Sequence, residues 1–215
     1  MLIHYRDSEA DAAKLVAELN GQRPKSGAKV KAELLAPVAS RALLGAALDS
    51  FGRLDLLVNN ASTFFPVGVG QIEASHWEEL IGSNLRAPLF LSQEVAPELA
   101  KNAGSIVNIV DIHAERPLKG YPVYSIAKAG LAAMTRSLAL ELAPKVRVNG
   151  VAPGAIAWPD DGQFDPAERG RIVETTPLGR VGSPEDIAQA VHFLACAAYI
   201  TGEIVAVDGG RSIFI

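Results

Sequence analysis

The stretch SIVNIVDIHAERPLKGYPVYSIAKAGLAAMTRSLALELAPKVRVNGVAPG, residues 105–154, decides the fold. It opens with an apolar run at Ser105–Val110, continues into a long helical pattern at Tyr124–Ala143, and closes with a second apolar run at Val146–Val151. Strands that are apolar on both faces are typical of a parallel sheet that is covered by helices on both sides. The stretch therefore predicts two parallel strands joined by a helix.

The same alternation of short apolar runs and helical patterns extends outward over the rest of the chain. No linker, repeat or charge block interrupts it, so residues 1–215 are predicted to form a single α/β domain. A polar segment at Trp158–Thr176 is predicted to be a loop with a short helix. The other predicted strands are Leu2–Tyr5, Ala28–Ala32, Asp55–Asn59 and Ile204–Val207, and the other predicted helices are Glu9–Leu19, Arg41–Phe51, 77–99 and Pro184–Ala195.

Composition excludes several classes of protein. The chain has 215 residues, 49% of them hydrophobic, with one cysteine and a formal net charge of −4. It is too apolar for disorder, and its mild acidity without a basic cluster argues against nucleic acid as a partner. One cysteine excludes an internal disulfide framework and suits the cytoplasm, and the histidines lack metal-ligand spacing, so no metal is predicted. No apolar run reaches the ~18 residues that span a membrane, so no membrane partner is expected.

Polar residues and turn signals follow three of the predicted strands. Asn59 and Asn60 end one strand, Asp111 ends the next, and Pro153 and Gly154 end a third. Ligands of open parallel sheets bind beyond the carboxyl ends of the strands. The sequence therefore predicts a binding site at this edge, without naming its chemistry.

Tyr124 and Lys128 form the pair that points to a reaction. They are four residues apart on a predicted helix, so both side chains share one face. A free tyrosine has a pKa of about 10, and a neighbouring ammonium group is expected to lower it. The pair can then donate a proton to a carbonyl or imine that receives a hydride. Taken alone, it fits a surface tyrosine and lysine equally well.

Five further segments occur in a fixed order: NNAS at 59–62, SNLRAP at 83–88, YSIAK at 124–128, RVNGVAPG at 147–154 and ITGEIVAVDGG at 200–210. In these segments the chain resembles the short-chain dehydrogenase/reductases. The resemblance implies a Rossmann-type, doubly wound parallel sheet with helices on both faces. NNASTFFP at 59–66, DIHAERPLKGYPVY at 111–124 and PGAIAWP at 153–159 look like the pteridine reductase branch. There Asp111 stands where the wider family has a serine.

The resemblance to that branch implies a reaction and a set of roles. The expected reaction is NADPH-dependent reduction of a dihydropterin, or of a dihydrofolate-like ring, to the tetrahydro form by a homotetramer. Tyr124 would donate the proton, and Asp111 would orient or relay it. Lys128 would also hold the nicotinamide ribose, and Asn84 would support a proton path through water.

Two aromatic residues are expected to meet the substrate. A pterin is flat and rich in ring nitrogens, so it suits an aromatic platform beside a carboxyl group. Phe64 matches the branch's stacking residue, whereas Phe65 is expected to pack in the core. Tyr121 is expected to line the pterin pocket, and a surface aromatic is the alternative that stays open.

The segment His4-Tyr5-Arg6-Asp7-Ser8 bears on the choice of cofactor. Arg6 can neutralise a 2′-phosphate, and Ser8 at a helix start can donate to it, which favours NADPH. Asp7 leaves an alternative open, because it can cap the helix or accept a ribose hydroxyl. The resemblance implies cofactor contacts from His4, Tyr5, Arg6, Ser8, Glu33, Asn60, Ala61, Ser62, Tyr124, Lys128, Pro153, Gly154 and Ile156.

One part of the family pattern is missing. Met1 stands where the family's second strand begins, so the first strand and its glycine-rich turn are absent. We therefore expect unpaired edges on Leu2–Tyr5 and Asp55–Asn59 in the middle of the sheet. Three explanations of this absence stay open: a misassigned start, a shortened chain, or a relative that no longer binds cofactor. The intact catalytic set favours a wrong or lost start. The functional alternatives are a general carbonyl or 3-oxoacyl thioester reductase and a non-catalytic remnant.

Overall fold

Every strand pairing in the computed structural model, which describes residues 1–158 and 164–214, is parallel. The segment 159–163 of the predicted loop lies outside the described residues. The strands are β1 (Leu2–Tyr5), β2 (Ala28–Lys31), β3 (Leu56–Asn59), β4 (Ser105–Ile109), β5 (Arg147–Pro153) and β6 (Ile204–Val207). The helices are α1 (Glu9–Gln22), α2 (Ala39–Phe51), α3 (Ala74–Ile81), α4 (Ala87–Lys101), α5 (Pro122–Leu142), α6 (Pro166–Glu174) and α7 (Pro184–Cys196).

The strands form two sheets. β1 pairs with β2, and the larger sheet has the order β3-β4-β5-β6. Residues Leu56, Ser105 and Arg147 are in register across the first three strands of the larger sheet. Parallel neighbours joined through helices make the fold Rossmann-type, which confirms the prediction from the sequence.

β1 and β3 each have one unpaired edge among the described residues, as the sequence predicts. Helix α2 connects the two sheets, since it packs against β1, β2 and α4. Leu35, which follows β2, packs so closely on Gly82 that a Cβ there would lie 2.7 Å from Leu35 Cδ2. The two sheets are therefore held together by helix and loop packing.

The core lies on both faces of the larger sheet. Ile106 and Val148 pack with Leu99 between the sheet and helices α4 and α5. Val107 and Val151 point to the other face and pack against Leu194 of α7. All six side chains are fully buried, so the alternation of facing residues along the strands places helices on both sides. Within the described ranges no helix combines the length and apolarity needed to cross a membrane.

A buried chain of polar side chains fixes strands β3 and β4 against α5. Asn59 Nδ2 donates to Asn108 Oδ1 at 2.8 Å, and Asn108 Nδ2 donates to Thr135 Oγ1 at 2.9 Å. The Thr135 hydroxyl donates in turn to the Leu131 carbonyl at 2.8 Å. Sequence reasoning did not identify this network, which holds in place the strand ends that carry the site.

Candidate active site

A cavity of about 470 Å³ opens at the carboxyl ends of β4 and β5, where the sequence predicts a site. That volume lies within the range of pockets that hold small organic ligands. Five predicted site residues line it: Phe64, Asp111, Tyr124, Gly154 and Ile156. The other predicted site residues do not line the cavity and lie behind its lining or at neighbouring strand ends.

Asp111 and Tyr124 form the chemical centre of the cavity. Asp111 follows β4 and caps a short 3-10 helix, because its Oδ1 accepts the His113 backbone N–H at 2.8 Å. Its Oδ2 accepts the hydroxyl of Tyr124 at 2.7 Å. Tyr124 lies in the first turn of α5, which begins at Pro122. Both carboxylate oxygens are therefore held, and the tyrosine proton has a fixed direction.

The pKa of Tyr124 moves in the direction opposite to the one predicted. Burial raises the pKa of its phenol above the ordinary value, and the charge and hydrogen bond of Asp111 raise it further. Lys128 does not reverse this, because its Nζ lies 5.6 Å from the centre of the Tyr124 ring and donates to the Ile109 carbonyl at 2.9 Å. Tyr124 is therefore held in its protonated form.

Lys128 is a buried cation. Only 3% of the surface of Lys128 is exposed to solvent. Burial lowers the pKa of Lys128 to about 8, and the Asp111 carboxylate opposes that effect. A lysine with that pKa changes its charge close to neutral pH, so its protonation is able to affect the site.

Asn84 lies in a π-helical segment, Gly82–Arg86, inserted between α3 and α4, whereas the sequence predicts an uninterrupted helix. Its Nδ2 donates to the Thr63 carbonyl at 2.9 Å and to the Leu80 carbonyl at 3.0 Å. Its Oδ1 is buried and has no hydrogen-bond partner within the described part of the chain. π-Helical segments are frequent at functional sites, and this oxygen is available to accept a hydrogen bond there.

Aromatic rings build one wall of the cavity. Phe64 stacks on Tyr121 with ring centres 4.6 Å apart and meets Tyr124 edge-on at 4.8 Å. Tyr121 is buried, which excludes the surface alternative, but it supports Phe64 from behind rather than lining the cavity. Phe65 packs in the neighbouring hydrophobic cluster, as expected.

The opposite wall carries residues that sequence reasoning did not single out. Phe164 lies nearly parallel to Phe64, with ring centres 6.3 Å apart, and contacts Trp158 at 5.8 Å. Helix α6 and the last 3-10 turn contribute Arg171 and Arg211 to the same cavity. Arg211 follows the Asp-Gly-Gly turn at the end of β6, and that position was the available signal for it.

The predicted residues of the β1 segment lie outside the cavity. The His4 ring bonds to the Ala32 carbonyl at 2.9 Å, and Arg6 pairs with Asp7 at 2.9 Å on the surface. Ser8 makes no side-chain cap hydrogen bond at the start of α1. Other predicted residues that the structure places at neighbouring strand ends, outside the cavity lining, are Tyr5, Glu33, Asn60, Ala61, Ser62 and Pro153.

The residues of this site suit the nicotinamide end of a dinucleotide cofactor better than they suit its central pyrophosphate. The unpartnered Asn84 Oδ1, buried Lys128 and the narrow Gly154 turn suit a nicotinamide nucleoside. A Cβ at Gly154 would lie 2.8 Å from the Asp208 Cα, so only glycine allows this approach. No described strand leads through a glycine-rich turn into a helix, the usual cradle for the pyrophosphate. The described residues hold no His, Cys, Asp and Glu cluster suited to a metal.

A Rossmann-type sheet, with a buried tyrosine and lysine one helical turn apart at its strand ends, is the arrangement of a nicotinamide-dependent oxidoreductase. The family model described as enoyl-(acyl carrier protein) reductase matches residues 1–212. The chain therefore belongs to the short-chain dehydrogenase/reductase family, and within it to the pteridine reductase branch.

Individual relatives agree with this family. The chain is 41% identical to pteridine reductase 1 of Leishmania tarentolae, over 98% of this chain and 87% of that protein. It is 37% identical to a granaticin polyketide synthase putative ketoacyl reductase of Streptomyces violaceoruber, over 84% of this chain and 75% of that protein. It is 36% identical to the 3-oxoacyl-acyl-carrier-protein reductase of Thermotoga maritima, over 76% and 68%.

Proposed function

We propose that this protein is an NADPH-dependent pteridine reductase, which reduces a dihydropterin or dihydrofolate to its tetrahydro form. The observation that carries the proposal is the 2.7 Å hydrogen bond from Tyr124 to Asp111 beside the Phe64 ring. A carboxylate at this position can bind the ring nitrogens of a pterin through several accepted hydrogen bonds, each strengthened by its negative charge. A hydroxyl group accepts fewer hydrogen bonds and carries no charge.

The proton is the part of the reaction that this chain supplies. Reduction of a C=N bond adds a hydride to carbon, which NADPH supplies when bound, and a proton to nitrogen. Tyr124 holds its proton firmly because burial and Asp111 raise its pKa. The phenol is therefore protonated at neutral pH, as a proton donor must be, and Tyr124 is assigned as the donor to the substrate nitrogen, with Asp111 orienting the phenol. Lys128 places a positive charge behind the tyrosine, and Asn84 Oδ1 can accept from a water in the proton path.

The substrate ring is proposed to lie against Phe64. Tyr121 supports that ring from behind at 4.6 Å, which makes Phe64 a rigid platform for a flat heterocycle. In this arrangement, the cofactor would contact the backbone at Gly154 and Ile156. Arg6 and Ser8 would hold the 2′-phosphate, with Arg6 exchanging its Asp7 partner for the phosphate.

A carbonyl or 3-oxoacyl thioester reductase is the second candidate. Two of the relatives carry ketoacyl or 3-oxoacyl reductase names, which supports a shared family chemistry. Asp111 distinguishes the candidates, because a simple ketone offers one oxygen and no ring nitrogens to a carboxylate.

The testing experiment compares the wild-type protein with Asp111→Ser on dihydrobiopterin and on a 3-oxoacyl thioester. We expect the substitution to abolish turnover of the pterin while ketone reduction is retained. Faster wild-type turnover of simple ketones than of dihydropterins would contradict the proposed substrate. An NADPH titration followed by nicotinamide fluorescence tests the cofactor. Absence of NADPH binding even when the family's first strand and glycine-rich turn are added upstream would favour a non-catalytic remnant.

A cytoplasmic homotetramer is proposed as the working form. Large apolar side chains are exposed at the end of α7 and at the carboxyl terminus, among them Phe193, Tyr199, Ile213 and Phe214. Exposed apolar patches of this kind mark interfaces between subunits. Light scattering coupled to size-exclusion chromatography measures the assembly directly, and a monomer at micromolar concentration would contradict it.

A further inference from the structure

The lining of the cavity includes two arginines. Arg171 lies on α6, and Arg211 begins the last 3-10 turn, directly after β6 and its Asp-Gly-Gly turn. Neither guanidinium has a carboxylate within ion-pair distance among residues 1–158 and 164–214. Five arginines elsewhere in the described chain are paired with acidic residues, for example Arg53 with Asp55.

Arg211 is held in a fixed position. Its Nη1 donates to the Ile172 carbonyl at 3.1 Å and to the Thr175 hydroxyl at 2.5 Å. Burial lowers the pKa of Arg211, and the charge of Asp208 opposes that effect. A partly buried guanidinium without an acidic partner is costly, and Nε and Nη2 make no hydrogen bond within the described structure. An anion that enters the cavity would meet both of these unused donors.

Most of the other charged and titratable groups at the cavity are committed to partners within the fold. Asp111 is committed to Tyr124 and to the His113 backbone. The His113 ring bonds to the Arg116 carbonyl at 2.7 Å. Glu168 is the one uncommitted carboxylate among the described lining residues, which also include the two arginines.

We propose that Arg171 and Arg211 form a subsite for an anionic group at the tail of the substrate, with the reacting ring against Phe64. The proposal rests on the proposed function, and it names the preferred class of pterin. A dihydropterin with a carboxylate tail, such as dihydrofolate, would bind more tightly than one with a neutral hydroxyalkyl tail, such as dihydrobiopterin. Arginine suits this task because its planar fork binds carboxylates through two hydrogen bonds.

The test measures dissociation constants by isothermal titration calorimetry for dihydrofolate and dihydrobiopterin, each with and without NADPH. Proteins compared are the wild type, Arg171→Gln, Arg211→Gln and Arg41→Gln, the last an exposed arginine on α2 outside the cavity. Arg171→Gln is the cleaner variant, because the Arg171 side chain makes no hydrogen bond to another described residue.

We expect each cavity variant to weaken dihydrofolate binding by about tenfold or more, the loss of a charged hydrogen bond. Dihydrobiopterin binding should change less than twofold, and Arg41→Gln should leave both ligands unaffected. Higher salt should weaken dihydrofolate binding in the wild type and less in Arg171→Gln. Removal of the opposing charge in Glu168→Gln should tighten dihydrofolate binding.

The subsite would be overturned if the cavity variants weakened the binding of both ligands equally, or of neither. It would also be overturned if dihydrofolate did not bind to the wild type. Turnover measured in parallel separates this result from the proposed function. Arginine-dependent binding without reduction would refute the reductase and leave the subsite standing. Reduction of both pterins with unchanged binding in the variants would do the reverse.

Discussion

The hydroxyl of Tyr124 donates to Asp111 Oδ2 across 2.7 Å, so the proton of the proposed acid is directed at a carboxylate before any substrate is present. The carboxylate has two consequences. It holds the phenol in one orientation, and together with burial it keeps the pKa of Tyr124 above the ordinary value. Proton transfer to a substrate therefore depends on how Asp111 and the substrate share that hydrogen bond.

Asp111→Asn is expected to lower kcat/KM for dihydrobiopterin by about 10²–10⁴-fold, the usual contribution of a positioned proton donor. The amide oxygen can still accept the His113 N–H, so the local backbone is retained. The amide carries no charge, so the pKa of Tyr124 should fall relative to the wild type. Ultraviolet titration of phenolate absorbance, with Tyr124→Phe as the reference, measures that fall. Activity within tenfold of wild type would contradict the role of Asp111.

The pH dependence of turnover should report Lys128. Its pKa of about 8 lies below the ordinary lysine value, because burial disfavours the ammonium form. As pH rises through 8, Lys128 loses its proton, while Tyr124 with its raised pKa keeps its own. The basic limb of the kcat profile is therefore expected near pH 8. In Lys128→Gln the remaining activity should be low and should lack this limb, and an unchanged limb would assign it to another group.

The same shift affects stability. Between pH 8 and the ordinary lysine pKa of about 10.4, unfolded chains bind a proton at Lys128 that folded chains lack. This group therefore makes the folded state more stable as pH rises through that window. In urea unfolding, the wild type should gain stability relative to Lys128→Gln from pH 8 to pH 10. A constant difference across the window would contradict the lowered pKa.

Sequence patterns were sufficient for the sheet, the strand-end site and the pair of Asp111 and Tyr124, since these depend on periodicity and on motifs close in the chain. The direction of the Tyr124 pKa was predicted wrongly. Spacing puts Lys128 on the same helical face, but burial and the hydrogen bond to Asp111 determine the pKa, and these arise only in the folded molecule.

The proximity of the two arginines in the proposed anion subsite could not be predicted from the sequence. Arg171 and Arg211 come from separate elements and belong to none of the quoted motifs, and their proximity depends on how α6 packs against the end of the chain. The π-helical segment around Asn84 was also missed, because its residues fit an ordinary helical pattern.

The buried polar chain predicts a stability effect away from the cavity. Thr135→Val keeps the shape of the side chain but removes the hydroxyl that accepts from Asn108 Nδ2. The unpaired amide should lower the free energy of unfolding by about 1–3 kcal/mol. Urea unfolding measures it, with the exposed Ser50→Ala on α2 as the control expected within about 0.5 kcal/mol of wild type. Equal effects of the two substitutions would show that the network is energetically neutral.

Two glycine-to-alanine substitutions should change the free energy of unfolding in opposite directions. A Cβ at Gly154 would lie 2.8 Å from both Cα and Cβ of Asp208, so the strand ends of β5 and β6 would have to separate. We expect Gly154→Ala to lower the free energy of unfolding by about 1–3 kcal/mol, as overpacking does. A Cβ at Gly45, inside α2, meets nothing within 4 Å, so Gly45→Ala should raise it by about 0.5–1 kcal/mol through helix propensity.

NADPH binding by the same two variants separates packing from function. Gly154 lines the cavity and the proposed nicotinamide contact, whereas Gly45 does not line the cavity. Gly154→Ala should therefore also weaken NADPH binding by tenfold or more, measured by nicotinamide fluorescence, and Gly45→Ala should leave that binding unchanged. Normal NADPH affinity in Gly154→Ala, with reduced stability, would place the cofactor away from the turn after β5.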